Sequence, residues 1–182
     1  MDLASQCFLL PSKRRRPFHG HLQMRFGGEG AQAHLALRIC AGESAEISWS
    51  SALAIYDVLQ GLEDKDALSL ARKCWDALLV LPRSALGPAA GEDLSLLLFV
   101  EDTTQSCISG VGLDSVWSDR EGETQQLSGP GHPELSRPGL PQVPPRALTL
   151  SRESATWFGL CAGEPPPKPE REKLRILAGA GQ

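Results

Sequence analysis

The chain has 182 residues, enough for one domain, or one domain with a tail, and for a core that buries roughly two-thirds of the surface of the unfolded chain. Apolar residues make up 41% and aromatics only 5%, so Leu, Ala and Val must supply most of that core. The net charge of −4 speaks against a broad nucleic-acid-binding face, and no apolar run approaches the ~20 residues of a membrane span.

The cysteines are Cys7, Cys40, Cys74, Cys107 and Cys161. None stands in a Cys-x-x-Cys pair of the kind that zinc or dithiol chemistry uses. The number is odd, and Leu9-Leu10 is followed at once by Pro11 and then by charge, which is no secretory apolar core. The expectation is a cytoplasmic protein with reduced thiols.

In chain order, residues 1–20 mix a short apolar piece with the basic run Lys13-Arg14-Arg15-Arg16. Leu22–Phe26 alternates apolar and polar residues, the period of a half-buried strand. Gly27-Gly28-Glu29-Gly30 is a hairpin-type turn, and the nearly continuous apolar run Ala33–Cys40 predicts a central partner strand. Ser50 or Ser51 can cap a helix to about Gln60, ended by Gly61. A second helix starts at Asp64 or Lys65. Its residues Leu68, Ala71, Trp75, Leu78 and Leu79 recur at steps of three and four, and Pro82 stops it.

Leu94–Val100 is short and wholly apolar apart from Ser95, which predicts a buried strand. Glu101–Gln105 turns the chain. Ser106–Trp117 returns as a strand interrupted by Gly110-Val111-Gly112, a sign of a bulge or close backbone approach. Asp119–Gly122 is a hairpin turn before a third short strand, Glu123–Leu127. Gly129–Arg146 holds six prolines, too many for a regular element. Ala147–Leu150 and Ala155–Leu160 predict two last strands. Pro165-Pro166-Pro167-Lys168-Pro169 is a stiff spacer before a short helix over Glu170–Leu177. The order is α+β, with antiparallel hairpins whose sheets are covered by helices. The domain reading is an N-terminal segment over 1–20, one domain over 21–163, and the spacer with its helix over 164–182.

One short sequence occurs twice. Cys40-Ala41-Gly42-Glu43 and Cys161-Ala162-Gly163-Glu164 each follow an apolar run that reads as a strand. A strand end followed by a glycine turn is a common seat for a catalytic carboxylate. Both seats here hold Ala, which binds no metal and moves no proton. Elsewhere, His19, His21, His34 and His132 provide no identified third ligand to complete a metal site. Ser109, Ser115 and Cys107 lack a base placed beside them by the sequence, and Cys107 reads as a small buried apolar residue. Gly110-Val111-Gly112 precedes no helix and is no dinucleotide fingerprint. Trp49, Trp75, Trp117 and Trp157 read as core or sheet-face residues. Lys13–Arg16 could dock an acidic partner, and Pro138–Pro145 could adopt an extended form that a partner reads.

The order of elements resembles the metal-dependent protein phosphatases, the protein phosphatase 2C family, in the compact form found in bacteria. The resemblance runs from about Leu22 to Leu177. It rests on the strand and turn at Leu37–Gly42, on the helix pair after it, and on the hairpin carrying Ser109-Gly110-Val111-Gly112-Leu113-Asp114-Ser115-Val116-Trp117. It also rests on Gly131-His132 and on the late turn Leu160–Gly163. Such phosphatases hold two metal ions on aspartates of the Asp-Gly turns, and the ions activate a bridging water. This chain has Ala41 and Ala162 in those places, no Asp within Gly27–Gln32, and no closing Gly-Asp-Asn motif. The resemblance therefore implies a pseudophosphatase with no catalytic residue, no bound metal and no cofactor. Its partner would be another protein, with no nucleic acid and no membrane, in a regulatory or structural role. The first alternative is an active serine/threonine phosphoprotein phosphatase in which Glu43, Glu46 or Glu164 replaces the missing ligands. The second is an unrelated α+β interaction module.

Overall fold

The computed structural model describes residues 9–10, 20–39, 53–81, 94–112, 115–120, 123–126, 142–151 and 156–161. The strands are β1 (Leu9–Leu10), β2 (Gly20–Gly27), β3 (Gln32–Ile39), β4 (Leu94–Glu101), β5 (Gln105–Val111), β6 (Ser115–Arg120), β7 (Glu123–Gln126), β8 (Leu148–Ser151) and β9 (Thr156–Cys161). Two helices are described, α1 over 53–59 and α2 over Ala67–Leu79.

The strands form two sheets. One has five strands in the order β2-β3-β4-β5-β8, antiparallel throughout; the other has four in the order β1-β9-β6-β7. Within the second sheet only the β1–β9 pair is parallel. The short apolar piece Leu9-Leu10 thus pairs with Leu160-Cys161, a pairing that two residues give no period to predict.

The β2–β3 hairpin closes through a tight turn. Gly27 has φ +122°, and a Cβ there would strike the Ala31 carbonyl oxygen, so the position needs glycine. The Gln32 side-chain amide also donates back to the Gly28 carbonyl. The turn then seats on the connection between the two helices, where the Ala31 amide donates to the Asp64 carbonyl at 3.0 Å.

The five-stranded sheet is an inner layer. Leu96, Leu97, Leu98, Phe99 and Val100 of β4 are all buried, which explains the unbroken apolar run: a strand covered on both faces has no polar side to alternate with. Leu96, Leu98 and Val100 share one face with Ala33, Leu35, Cys107 and Val111. That face packs against Ile55 and Leu59 of α1 and Leu70, Ala71, Cys74, Trp75 and Leu78 of α2. Leu97, Phe99, Ile108 and His34 lie on the opposite face and are buried as well.

α2 forms where the three-and-four spacing predicts it: Ala71, Trp75 and Leu78 are turned inward as expected, with Ala67, Leu70 and Cys74 beside them, whereas Leu68, expected on the same face, is 42% exposed. Its N-cap is Asp66 rather than Asp64 or Lys65. The Asp66 carboxylate accepts from the Ser69 amide at 2.8 Å, while the Asp64 side chain is drawn to the Lys65 amide and the Lys73 ammonium. One strand expectation is corrected. Ser106–Trp117 is not a single interrupted strand. Gly112, at φ +65°, follows the end of β5 in a left-handed conformation, and the chain passes to β6 in the other sheet.

Candidate functional site

The two Cys-Ala-Gly-Glu segments start where two strands stop. β3 ends at Ile39, paired to Gly20 and Leu94, one residue before Cys40. β9 ends at Cys161, paired to Ser115 and Leu10. The strand-then-turn reading therefore holds for the strands at both places. β3 lies in the five-stranded sheet and β9 in the four-stranded one. Ala41, Gly42, Glu43, Glu46, Ala162, Gly163 and Glu164 lie outside the described residues.

Asp64, whose carbonyl meets the β2–β3 turn, has its carboxylate committed to structure. Asp64 binds Lys73 at 2.8 Å, and that bond, with the Lys65 amide, lowers its pKa. Lys73 also donates to the Glu63 carbonyl at 3.0 Å. Asp102, in the β4–β5 turn, is the most heavily bonded acid described. Its Oδ2 accepts from the Ala67 amide at 2.7 Å, at the first residue of α2. Its Oδ1 accepts from the Thr104 amide at 2.6 Å, the Thr104 hydroxyl at 2.7 Å and the Gln105 amide at 2.9 Å. Burial alone would raise its pKa. The four hydrogen bonds outweigh that and bring it down to about 2. A carboxylate whose lone pairs are filled by donors has little left for a cation. Glu29, at the turn itself, is exposed. Among the described residues no group of three or more His, Cys, Asp or Glu is placed to hold a metal ion.

The other candidates resolve in the same direction. Ser109 is fully buried and accepts a hydrogen bond from the Trp75 indole at 2.7 Å, so it satisfies a core tryptophan. Cys107 is buried, and burial raises its pKa; its Sγ lies 4.0 Å from the Thr149 hydroxyl. Burial likewise pushes the Cys74 thiol up to about 12. Neither thiol has the depressed pKa of a nucleophile. Trp75 is a core residue, as its spacing predicts. His34 lies against the Phe99 ring, with Nε2 3.5 Å from a Glu101 carboxylate oxygen. His21 is on β2 opposite Arg38, on the same sheet face as His34 by register but four residues further along the pair. Ser115 and Trp117 are on β6 and Trp157 is on β9. His19, His132, Trp49 and the Lys13–Arg16 run lie outside the described residues.

Sequence reasoning passed over Asp102 as an anchor. The signal was present: an Asp followed by two Thr, directly after an apolar strand, is an Asx-turn pattern. What no local pattern carries is the bond to Ala67, which spans 35 residues.

No protein-family model matches the sequence, and no curated protein matches it. Solved structures do. The SiaA-PP2C domain of Pseudomonas aeruginosa superposes with a TM-score of 0.53 at 13% identity, over 78% of this chain and 54% of that one. The serine/threonine phosphatase Stp1 from Staphylococcus aureus gives 0.55 at 13%, over 87% of this chain and 74% of that one. The PP2C phosphatase domain of the cell fate determinant SpoIIE from Bacillus subtilis, solved with a fragment of its regulatory domain, gives 0.51 at 10%, over 75% and 38%. The chain thus spans about half the length of the SiaA domain and less of the SpoIIE structure. At such identities the likeness is one of architecture: the chain is an α+β protein with the fold of PP2C-type phosphatase domains.

Proposed function

We propose that this protein is a non-catalytic phosphatase-fold module that acts by binding another protein, as a regulatory or structural subunit. The observation that carries the reading is the residue choice just past β3 and β9. Both strand ends lead into Ala-Gly, at Ala41-Gly42 and Ala162-Gly163, where a metal-dependent phosphatase needs carboxylates. Mg²⁺ and Mn²⁺ demand hard oxygen ligands, and Ala has none to give. Of the described acids near the β2–β3 turn and the helix connection, Asp64, Asp66 and Asp102 are engaged with Lys73 and with backbone amides, while Glu29 and Glu63 are exposed. Among the described residues no donor set fits a pair of divalent ions. A fold without its catalytic ligands retains its surfaces, and these can serve recognition.

The test is calorimetric titration of the purified protein with Mn²⁺ and Mg²⁺, followed by a phosphopeptide hydrolysis assay. The expected outcome is no binding heat and no turnover. Metal binding with turnover that disappears in Glu43→Ala or Glu164→Ala would overturn the proposal and make the protein a phosphatase with displaced ligands.

A further inference from the structure

We infer that β2 is a self-association edge: two copies of this chain pair their β2 strands antiparallel about a two-fold axis at Met24, joining their five-stranded sheets into one continuous sheet. This goes beyond the proposed function and does not rest on it, because an active phosphatase could carry the same strand.

The first argument is the kind of edge that β2 presents. Among the described residues it has a neighbouring strand on one side only, β3. Every second residue of β2 therefore directs its N–H and C=O away from β3. Proteins blunt such edges by keeping them short, or with proline, lysine or a bulge. The other three edge strands are short: β1 has two residues, β7 four and β8 four. β2 has eight, with neither proline nor lysine, and its register with β3 runs from Gly20 to Gly27 without a slipped pair. Its turn is seated on the helix connection through the Ala31 amide and the Asp64 carbonyl. The strand is thus held in shape before any partner arrives, and loses little conformational entropy on pairing.

The second argument is that β2 complements itself in one register. A two-fold axis joining two antiparallel edge strands stands perpendicular to the sheet, so like faces meet and the axis passes through a residue position. By register, Leu22, Met24 and Phe26 belong to the helix-covered face, and His21, Gln23 and Arg25 to the other. An axis at Gln23 would set Arg25 against His21, two basic residues, on both sides of the centre. An axis at Arg25 would set the two arginines against each other. An axis at Leu22 would engage only Gly20–Met24 of each strand. An axis at Met24 engages His21–Gly27 and brings like charges together nowhere. It opposes Met24 to Met24 and Leu22 to Phe26 on one face, and Gln23 to Arg25 on the other, where an amide oxygen can accept from a guanidinium. Met24, at the centre, is half-buried and Arg25 is exposed, so neither position is closed to a partner.

One paired strand is a small interface, so the dimer is weak, with a Kd on the order of 100 µM. The test is sedimentation equilibrium of the whole chain from about 10 µM to about 1 mM, where monomer and dimer should both be present. Gln23→Glu puts a carboxylate opposite Arg25 on both sides of the axis and should tighten the dimer about fivefold. Gln23→Arg should weaken it by a similar factor, and the double variant Gln23→Arg/Arg25→Glu, which restores opposite charges, should recover it. Gln60→Glu, the same charge change at an exposed position just after α1, should leave it within about twofold. Far-UV circular dichroism of each variant checks that the sheets still form. A chain that stays monomeric at about 1 mM overturns the inference. So does a dimer that Gln23→Glu fails to tighten, one that Gln60→Glu tightens equally, or one that the folded double variant fails to recover.

Discussion

Asp102 does at the scale of a single residue what neither element it touches can do alone. Its two oxygens take donors from its own turn and from the first residue of α2. One side chain thereby fixes the β4–β5 hairpin and satisfies an amide that a helix start leaves without a partner. Asn has a single acceptor oxygen, so Asp102→Asn must leave either the Ala67 amide or the Thr104–Gln105 donors facing an N–H group. The expected loss is about 1–3 kcal/mol in urea unfolding at neutral pH. The pH dependence follows from the direction of the shift. The folded pKa of about 2 lies below the ordinary 3.8, so the stabilisation is present above the ordinary value and is lost as pH falls toward the folded one. The native protein should lose about 2 kcal/mol from this group between about pH 5 and pH 2, and the variant should not. Equal pH slopes for the two proteins would show that Asp102 is not the group responsible.

At the scale of elements, what the sequence makes legible is what depends on local period and local stops. Ala71, Trp75 and Leu78 of α2 follow from its three-and-four spacing, though Leu68 at the edge of that face is exposed, and the apolar run of β4 follows from burial on both faces. The break at Gly112 was visible as a glycine but not as a change of sheet, because sheet membership is decided by partners far along the chain. For the same reason the sequence shows two strands leading into Ala-Gly but not that these strands, β3 and β9, belong to different sheets. The β2–β3 turn shows a third case. Its glycines announce a hairpin, yet Gly30 is required by a neighbour from another element. A Cβ on Gly30 would come within 2.6 Å of the Lys65 Cα and 2.9 Å of the Asp64 carbonyl oxygen, both backbone atoms that cannot rotate away. Gly30→Ala should therefore cost about 1–3 kcal/mol by overpacking. It should also speed hydrogen exchange at the Ala31 amide, whose bond to Asp64 the collision would stretch. Gly61→Ala is the control. A Cβ there meets nothing within 4 Å, and the expected change is neutral or slightly stabilising. Equal costs at the two positions would mean that the turn is not seated on the helix connection as described.

Across the whole molecule, neither sheet is a continuous piece of chain. β1 belongs with β9, β6 and β7, yet β2 to β5 come between it and them; β8 returns to the five-stranded sheet between β7 and β9. Four connections therefore pass from one sheet to the other: β1 to β2, β5 to β6, β7 to β8, and β8 to β9. Removing one sheet would leave the strands of the other joined by long unpaired loops, and the entropy of closing those loops would no longer be offset by pairing. The two sheets should accordingly unfold together. Trp75 lies under the five-stranded sheet, while Trp117 and Trp157 belong to strands of the four-stranded one. In the double variant Trp49→Phe/Trp75→Phe, the remaining tryptophans are both on strands of the four-stranded sheet, whereas circular dichroism reports both sheets and the helices. The two urea transitions should share one midpoint and one slope, as a single cooperative unit requires. A fluorescence midpoint displaced from the circular-dichroism midpoint would show that the interleaved strands do not bind the sheets into one unit, and that the four-stranded sheet opens by itself.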